Sequence, residues 1–299
     1  GSVTISATPN SGTIKWYDTA TGGTLLFTGN SYTTPSIAIT TIYYAEAYNG
    51  CTASSRTAVT ATINAIPTIS GNTASRCDAG AVTISANPSA GTVTWHDAAT
   101  GGTLLSTGSV YTTPSISTTT TYYAQTTTAA GCTSSRIAVV ATVNVTPTVT
   151  STTPASRCGG GSLLLEATAS AGTLNWYDAA TGGTYLGTTT SFATPTLSAS
   201  QSYFVEASHN GCTSSRIEVV ATINTVPSIT GTTASSRCAS GTVTLGATAG
   251  TGTINWYDTP TGGTLVGTGT SFTTPSIATS TYYYVESNDG TCISSRTAV

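Results

Sequence analysis

Four aspartates stand at the same place in a motif that the chain repeats. The motif reads WYDTATGGT, WHDAATGGT, WYDAATGGT and WYDTPTGGT, and its aspartates are Asp18, Asp97, Asp178 and Asp258. Carboxylates suit Ca²⁺, but this ion takes about 6–8 oxygen ligands and each motif offers a single carboxylate. Aspartate ahead of Gly-Gly is also typical of a turn, in which the carboxylate accepts backbone N–H groups. We therefore expect turn caps and no metal site.

Other residue types that carry out catalysis are few and scattered. His96 and His209 are the two histidines, and they occupy different parts of the repeated pattern. Glu166 and Glu218 occur in one repeat only, whereas catalysis by paired carboxylates needs two acidic side chains that converge. The motifs of serine hydrolases, zinc proteases, phosphate-binding loops and dinucleotide-binding turns are absent. The sequence therefore predicts a protein that is not an enzyme and needs no cofactor.

The seven cysteines recur with the motif, three of them after an arginine and four ahead of a Ser-Ser-Arg sequence. Because the short paired spacings of zinc sites are absent, disulfides are expected, and these form in an oxidising, extracytoplasmic compartment. Pairing within each repeat closes loops of about 55 residues, worth roughly 4 kcal/mol each. The predicted bonds are Cys77–Cys132, Cys158–Cys212 and Cys238–Cys292. Cys51 is expected to be unpaired, because its partner would precede Gly1.

The tryptophans of the four motifs recur with a period of about 80 residues, which indicates a tandem array. We divide the chain into repeat 1 (residues 1–64), repeat 2 (65–144), repeat 3 (145–224) and repeat 4 (225–299). Repeat 1 is expected to lack its first strand and first cysteine, and the last strand of repeat 4 to be truncated. Short joints such as Ile63–Pro67, without a flexible linker, predict a semi-rigid rod on the order of 130–160 Å long.

Within each repeat, short alternating segments such as GTLNWY and SYFVEAS are bounded by turn residues, and no helical period is present. About seven strands of this kind predict an all-β fold, a tandem array of four Ig-like antiparallel β-sandwiches. Tryptophans and tyrosines in phase with aliphatic neighbours are expected in the cores. These core residues are Trp16, Trp95, Trp176, Trp256, Tyr43, Tyr122, Tyr203 and Tyr283.

The opposite faces of the same strands carry a second set of aromatic residues, with arginines on the neighbouring strand. One interpretation is cross-strand stacking and ion pairing that covers the sheet, and this is the favoured one. The other is a surface that binds glycans or proteins, repeated along the array. The residues of this face are Tyr17, Tyr177, Tyr257, Tyr44, Tyr123, Tyr284, Arg56, Arg136 and Arg216.

Charged residues make up only 6% of the chain, and the net charge is −3. No basic stripe is present, so nucleic acid is not an expected partner. No run approaches the roughly 18 apolar residues of a membrane-spanning helix, so no membrane insertion of this segment is expected. The expected partners are neighbouring repeats of the same chain, surface glycans or other cell-surface proteins, and further copies of the chain if it self-assembles.

The combined motifs RC-x₂-G-x-V-T, WYDAATGGTLL, TTPSI and GC-x-SSR-x-AV-x-ATVN resemble an Ig-like repeat associated with gliding-motility-type C-terminal domains. The similarity extends over all four repeats. It implies an exported, multi-repeat, adhesin-like surface protein of the type IX secretion system of Bacteroidota. In that setting, Asp18-Thr19-Ala20 fits an acceptor sequence for O-glycosylation, which would modify Thr19.

These observations together predict an extracellular or cell-surface stalk with a structural and adhesive role, which spaces or displays a terminal function. Two alternatives stay open. The outward aromatic residues are compatible with a carbohydrate-binding accessory array of a secreted enzyme. The incomplete first and last repeats are compatible with a subunit of an extracellular filament that is completed by strand addition.

Overall fold

A computed structural model describes all residues from Gly1 to Val299. Every regular element is a β-strand, and the chain forms two compact units, Gly1–Val143 and Asn144–Val299. The predicted all-β fold of tandem Ig-like sandwiches is confirmed, because each repeat pairs a small sheet with a larger one over its own core.

Repeat 1 contains two antiparallel sheets, one in the order β1-β4 and the other in the order β3-β2-β5-β6. Its strands are β1 (Thr4–Ser6), β2 (Thr13–Tyr17), β3 (Leu25–Thr28), β4 (Ser31–Thr33), β5 (Thr41–Tyr48) and β6 (Thr57–Ala61).

Repeat 2 has the same plan with two further strands at its start. Its sheets have the orders β12-β9-β7 and β11-β10-β13-β14-β8. The strands are β7 (Ile69–Asn72), β8 (Ala74–Cys77), β9 (Thr83–Pro88), β10 (Thr92–His96), β11 (Leu104–Thr107), β12 (Val110–Thr112), β13 (Thr120–Thr127) and β14 (Ile137–Asn144).

Repeat 3 repeats this arrangement in sheets of order β15-β17-β20 and β16-β23-β21-β18-β19, with β22 attached to β21. Its strands are β15 (Val149–Thr153), β16 (Ala155–Cys158), β17 (Leu164–Ala169), β18 (Thr173–Tyr177), β19 (Tyr185–Thr188), β20 (Ser191–Ala193), β21 (Gln201–His209), β22 (Cys212–Thr213) and β23 (Ile217–Asn224).

Repeat 4 has sheets of order β24-β25-β28 and β27-β26-β29-β30. Its strands are β24 (Ile229–Thr233), β25 (Thr244–Ala249), β26 (Thr253–Tyr257), β27 (Leu265–Thr268), β28 (Ser271–Thr273), β29 (Tyr284–Asn288) and β30 (Thr297–Ala298).

The first strand of repeat 3 divides between the two sheets at Pro154. β15 lies antiparallel to β17 in the small sheet, whereas β16 lies parallel to β23 in the large one. Proline cannot donate a ladder hydrogen bond, so it suits the point at which the chain leaves one sheet for the other. The parallel register places Cys158 opposite Asn224, at the end of β23 that leads to repeat 4.

Each core is centred on its tryptophan. All four indoles are fully buried, and each Nε1–H donates to a backbone carbonyl 13 residues later, such as that of Thr189 at 2.8 Å from Trp176. A neighbouring aromatic ring stacks on each indole, for example Phe192 on Trp176 with 5.3 Å between centroids. The expected core tyrosines lie beside these rings and are at least 92% buried. They are Tyr43, Tyr122, Tyr203 and Tyr283.

Candidate functional site

The repeated WYDAATGGT motif ends the strand that carries the tryptophan and forms the turn to the next strand, which is the turn between β18 and β19 in repeat 3. In repeat 3, Asp178 Oδ1 accepts a hydrogen bond from the Thr184 N–H at 2.6 Å, and the other three repeats show this bond at 2.7–2.8 Å. This backbone hydrogen bond lowers the pKa of Asp178 below the ordinary value for aspartate. The turn ends at Gly182 and Gly183, whose φ values of 62° and 71° favour glycine.

Arg216, which directly precedes β23, holds this turn in place. Its Nη1 donates to the carbonyl oxygens of Ala179 at 2.6 Å and Gly182 at 2.7 Å. Its Nε donates to Glu206 Oε2 at 3.2 Å, and the guanidinium lies over the Tyr177 ring, 3.3 Å from its centroid. We call this set, Arg216 with Tyr177, Glu206 and the two carbonyls, the turn clamp. It satisfies two backbone acceptors that would otherwise need water.

Repeats 1 and 4 contain the same turn clamp. Arg56 and Arg296 donate to the two turn carbonyls at 2.5–2.8 Å. They also pair with a glutamate at 3.3 and 3.0 Å and lie over a tyrosine ring at 3.3 and 3.4 Å. The arginine and glutamate side chains are only 10–15% exposed in these clamps. The clamp is therefore an inner part of the repeat.

Repeat 2 has a clamp of different chemistry. Arg136 reaches the carbonyls of Ala98 and Gly101, each at 2.6 Å, but its Nε donates to the neutral Gln125 Oε1 at 3.2 Å. His96 replaces the tyrosine. Its Nε2 lies 3.2 Å from Thr94 Oγ1, while its Nδ1 is buried without a hydrogen-bond partner.

The pKa of His96 lies below the ordinary value for histidine. Burial is the main cause, since it disfavours the charged imidazolium, and the positive charge of Arg136 acts in the same direction. The carboxylate of Asp97 opposes both but is the weakest of the three. Among the four clamps, the clamp of repeat 2 is therefore the one in which acid would protonate a histidine, His96, and add a half-buried positive charge.

The residues of the outward aromatic face are half-buried and paired with one another across the strands. Tyr17 lies opposite Tyr44, and Tyr177 opposite Phe204. The same register joins His96 to Tyr123 and Tyr257 to Tyr284. One face of the Tyr17, Tyr177 and Tyr257 rings is covered by a guanidinium. The arginines of the face are those of the clamps, Arg56, Arg136, Arg216 and Arg296.

The cysteines are paired differently from the prediction. Cys158 of repeat 3 bonds to Cys292 of repeat 4, so the predicted Cys158–Cys212 and Cys238–Cys292 bonds are wrong. Cys132 is free, which also rules out Cys77–Cys132, although Cys77 and Cys212 are both disulfide-bonded. Cys51, expected to be unpaired, is free and exposed, and so is Cys238, which was expected to be paired.

Strand direction explains the error. The parallel register puts Cys158 beside Asn224 at the end of β23, whereas Cys212 precedes the start of that strand at Ile217. The eight residues of β23 span about 23 Å from end to end, and a disulfide needs Cα atoms within about 7 Å. Cys158 instead lies 5.7 Å, Cα to Cα, from Cys292 of the following repeat.

Three arginines that precede cysteines have a role that sequence reasoning missed. Arg76 Nη1 donates to the Ala81 carbonyl at 3.0 Å, and Arg157 and Arg237 make the same contact at 3.3 and 2.9 Å. Each guanidinium occupies the space where a Cβ would stand on the glycine four residues later, Gly80 in repeat 2. The Arg-Cys-x-x-Gly spacing is the signal that could have found this contact.

Thr19, the candidate O-glycosylation residue, lies exposed in the turn of repeat 1, and its hydroxyl donates to the Thr21 carbonyl at 3.0 Å. No group of three or more His, Cys, Asp or Glu side chains is arranged to hold a metal ion. No helix long and apolar enough to cross a membrane is present.

Comparison with known proteins gives one family. The family described as "Ig-like domain CHU_C associated" matches residues 1–64, 65–147, 145–224 and 225–299. No curated protein matches. Among solved structures, the I-band fragment I67-I69 from titin is 15% identical, with a TM-score of 0.43, over 78% of this chain and 98% of that chain. Fibronectin(III)-like modules of Clostridium thermocellum CbhA are 16% identical, with a TM-score of 0.37, over 53% and 95% of the two chains.

Proposed function

Because this chain belongs to the family of CHU_C-associated Ig-like domains over all four repeats, we propose that it is a segment of a structural and adhesive stalk. The stalk would space or display a terminal function on a large exported protein. The proposed units are the four repeats, residues 1–64, 65–144, 145–224 and 225–299. Secretion through the type IX system follows from the sequence resemblance and belongs to the same proposal.

The proposal is carried by one observation: the repeated polar side chains form hydrogen bonds within their own repeat. In repeats 1, 3 and 4 the tryptophan, aspartate and clamp arginine all bond to backbone groups of their own repeat. A binding or catalytic motif would leave polar groups free for a ligand, whereas these groups are engaged in holding a turn. We therefore infer that the repeated motif is scaffold.

The Cys158–Cys292 bond adds a covalent link between successive repeats. Such a link keeps neighbouring domains joined even when their non-covalent contacts open, which suits a stalk under load. Structural disulfides form in oxidising compartments, so the bond supports an extracellular location. We place the protein at the cell surface, with neighbouring repeats and cell-surface glycans or proteins as its partners and no enzymatic activity of its own.

Carbohydrate binding has weaker support, because the arginines already cover one face of the aromatic rings that would stack on sugars. The substitutions Tyr177→Ala and Tyr257→Ala, followed by glycan-array binding, test it directly. Loss of a specific glycan signal in both variants would favour this second function. O-glycosylation of Thr19 is tested by intact mass of the protein from its native source, where added hexose supports it and the unmodified mass removes it.

Small-angle scattering tests the stalk itself. We expect a maximum dimension on the order of 130–160 Å, as for four sandwiches in series. A radius of gyration of about 19 Å, the value for a single globule of this length, would contradict a stalk. Filament formation would be recognised by a scattering mass that rises with protein concentration.

A further inference from the structure

The outer face of the large sheet has a different composition in repeat 3 from that in the other repeats. In every repeat, residues that lie directly opposite one another form a row across four strands of this sheet. In repeat 3 this row, which we call the platform, consists of Tyr185, Tyr177, Phe204 and Glu218. The corresponding rows are Leu25, Tyr17, Tyr44 and Ala58 in repeat 1, Leu104, His96, Tyr123 and Ala138 in repeat 2, and Leu265, Tyr257, Tyr284 and Ala298 in repeat 4. Repeat 3 thus has tyrosine in place of leucine at one end of the row and glutamate in place of alanine at the other.

Tyr185 presents an open aromatic ring at its end of the platform. The residue is 55% exposed, and the guanidinium of the turn clamp lies over Tyr177 and leaves the Tyr185 ring uncovered. Tyr177 packs edge-on against this ring, with 5.8 Å between the centroids and 65° between the planes. The Tyr185 hydroxyl also lies 2.6 Å from Thr188 Oγ1. These two contacts fix the ring before a ligand arrives, which lowers the entropic cost of binding.

Polar groups beside the ring have hydrogen-bonding capacity that the repeat does not use. Thr188 Oγ1 donates its proton to Asn175 Oδ1 at 2.7 Å, so the Tyr185 hydroxyl is the donor to Thr188 and keeps free lone pairs. The Asn175 amide nitrogen has no hydrogen bond of its own, which leaves two donors beside the platform.

Glu218 supplies an acceptor at the opposite end of the platform. It is exposed, its Oε1 accepts the Ser202 hydroxyl, and it forms no ion pair. Its Oε2 is therefore free to accept from a ligand, and its charge is not neutralised by the protein.

The size of this face favours a small ligand over a protein. The platform spans about 14 Å across its four strands, and the five residues of β18 extend about 16 Å along them. The resulting area of about 230 Å² is well below the roughly 800 Å² that each partner buries in a stable protein interface. The free carboxylate of Glu218 disfavours an acidic ligand.

The chemistry of the same groups fits a sugar. A pyranose ring with equatorial hydroxyls has a flat C–H face that packs on an aromatic ring. Its hydroxyls can accept from an amide N–H and donate to a carboxylate.

We propose that the platform, together with Asn175, binds a short neutral oligosaccharide of β-linked hexoses. One hexose ring stacks on Tyr185 and accepts hydrogen bonds from the Asn175 amide, and a further hexose donates to Glu218. The site deepens the adhesive part of the proposed function and rests on it. It differs from an array of equal sites on the clamp tyrosines, because it uses residues in which repeat 3 departs from the other three.

The experiment is calorimetric titration of the full chain with cellohexaose and with laminarihexaose, two neutral hexamers of β-linked glucose. The variants Tyr185→Leu and Glu218→Ala introduce the residues that the other three repeats carry at these positions, so both should fold. Leu265→Ala, at the edge position of repeat 4 that corresponds to Tyr185, is the matched control. Thermal unfolding of each variant verifies that it is folded.

We expect at least one hexamer to bind, and each substitution in repeat 3 to weaken its binding about tenfold through the lost stacking or the lost charged hydrogen bond. Leu265→Ala should bind with unchanged affinity. Absence of binding by the unsubstituted chain, or unchanged affinity of Tyr185→Leu, would overturn the proposal. Equal affinity for hexagalacturonate, an acidic hexamer, would also overturn it.

Two further outcomes separate this site from other functions. Binding of hexalysine without binding of either glucose hexamer would overturn the oligosaccharide site in favour of a contact with protein. Scattering from the same samples tests the stalk independently, so an extended chain that binds neither hexamer loses this site and keeps the stalk.

Discussion

The guanidinium of Arg216 lies 3.3 Å from the centroid of the Tyr177 ring and donates at the same time to two carbonyls of the turn that follows this tyrosine. One side chain, from the residue that precedes β23, thus reaches the turn between β18 and β19. The contact recurs in repeats 1 and 4, so its consequences can be tested in one repeat with the others as references.

The first prediction concerns Arg216→Ala. This substitution removes the donor to two turn carbonyls and to Glu206 Oε2, and a hydrogen bond that involves a charged group contributes about 1.5–3 kcal/mol. Hydrogen exchange of residues 178–184 should therefore accelerate by an equivalent of about 2–3 kcal/mol. Arg216→Lys should recover only part of the loss, because an ammonium cannot bond in a fork and stack at once. Residues 258–264 are the internal control, and equal acceleration there would show a global effect instead.

A second prediction compares two adjacent glycines of the same turn. Gly182 and Gly183 both have positive φ, so alanine at either costs about 1–2 kcal/mol from the backbone alone. A Cβ at Gly182 meets open space, whereas one at Gly183 collides with Asp178 Oδ1 and Ala179 Cβ. Gly183→Ala should therefore lose the aspartate cap as well and destabilise by about 1 kcal/mol more than Gly182→Ala. Equal unfolding free energies for the two variants would show that the carboxylate cap is not part of the turn's stability.

The third prediction is a pH dependence confined to repeat 2. The folded-state pKa of His96 lies below its ordinary value, so the unfolded chain binds the proton more tightly. The stability from neutral His96 is complete above about pH 6.5 and falls as the pH drops through that value toward the folded-state pKa. Exchange of residues 97–103, corrected for the intrinsic rate, should accelerate between about pH 7 and pH 5.

Residues 178–184 are the comparator for this pH series, because their clamp contains tyrosine. The substitution His96→Tyr should abolish the acceleration in residues 97–103, since the phenol does not titrate in this range. Persistence of the acid response in that variant would assign it to another group. The Asp178 cap acts in a separate window: its pKa is lowered, so its stabilisation is lost only as the pH falls below about 4.

The strands and the core were predictable from local pattern, but the site was predictable only in part. Alternation along GTLNWY places Leu174 and Trp176 inward, because strand side chains alternate whatever the rest of the fold does. The two-carbonyl contact of Arg216 could not be read from spacing, since it joins residues more than 30 positions apart. The cystine pairing failed for a topological reason: separation in sequence carries no information on which end of the sandwich a cysteine occupies.

The central claim is that a disulfide links one repeat of the scaffold to the next. Mapping the disulfides tests this claim most directly. Cleavage after arginine and before aspartate, without reduction, separates Cys158 (residues 158–177), Cys212 (178–216), Cys238 (238–257) and Cys292 (289–296) into different peptides. We predict a disulfide-linked product of peptides 158–177 and 289–296 that reduction separates, with Cys238 recovered as a free thiol. A linked product of 158–177 with 178–216, or of 238–257 with 289–296, would mean that each repeat closes on itself and would contradict the account.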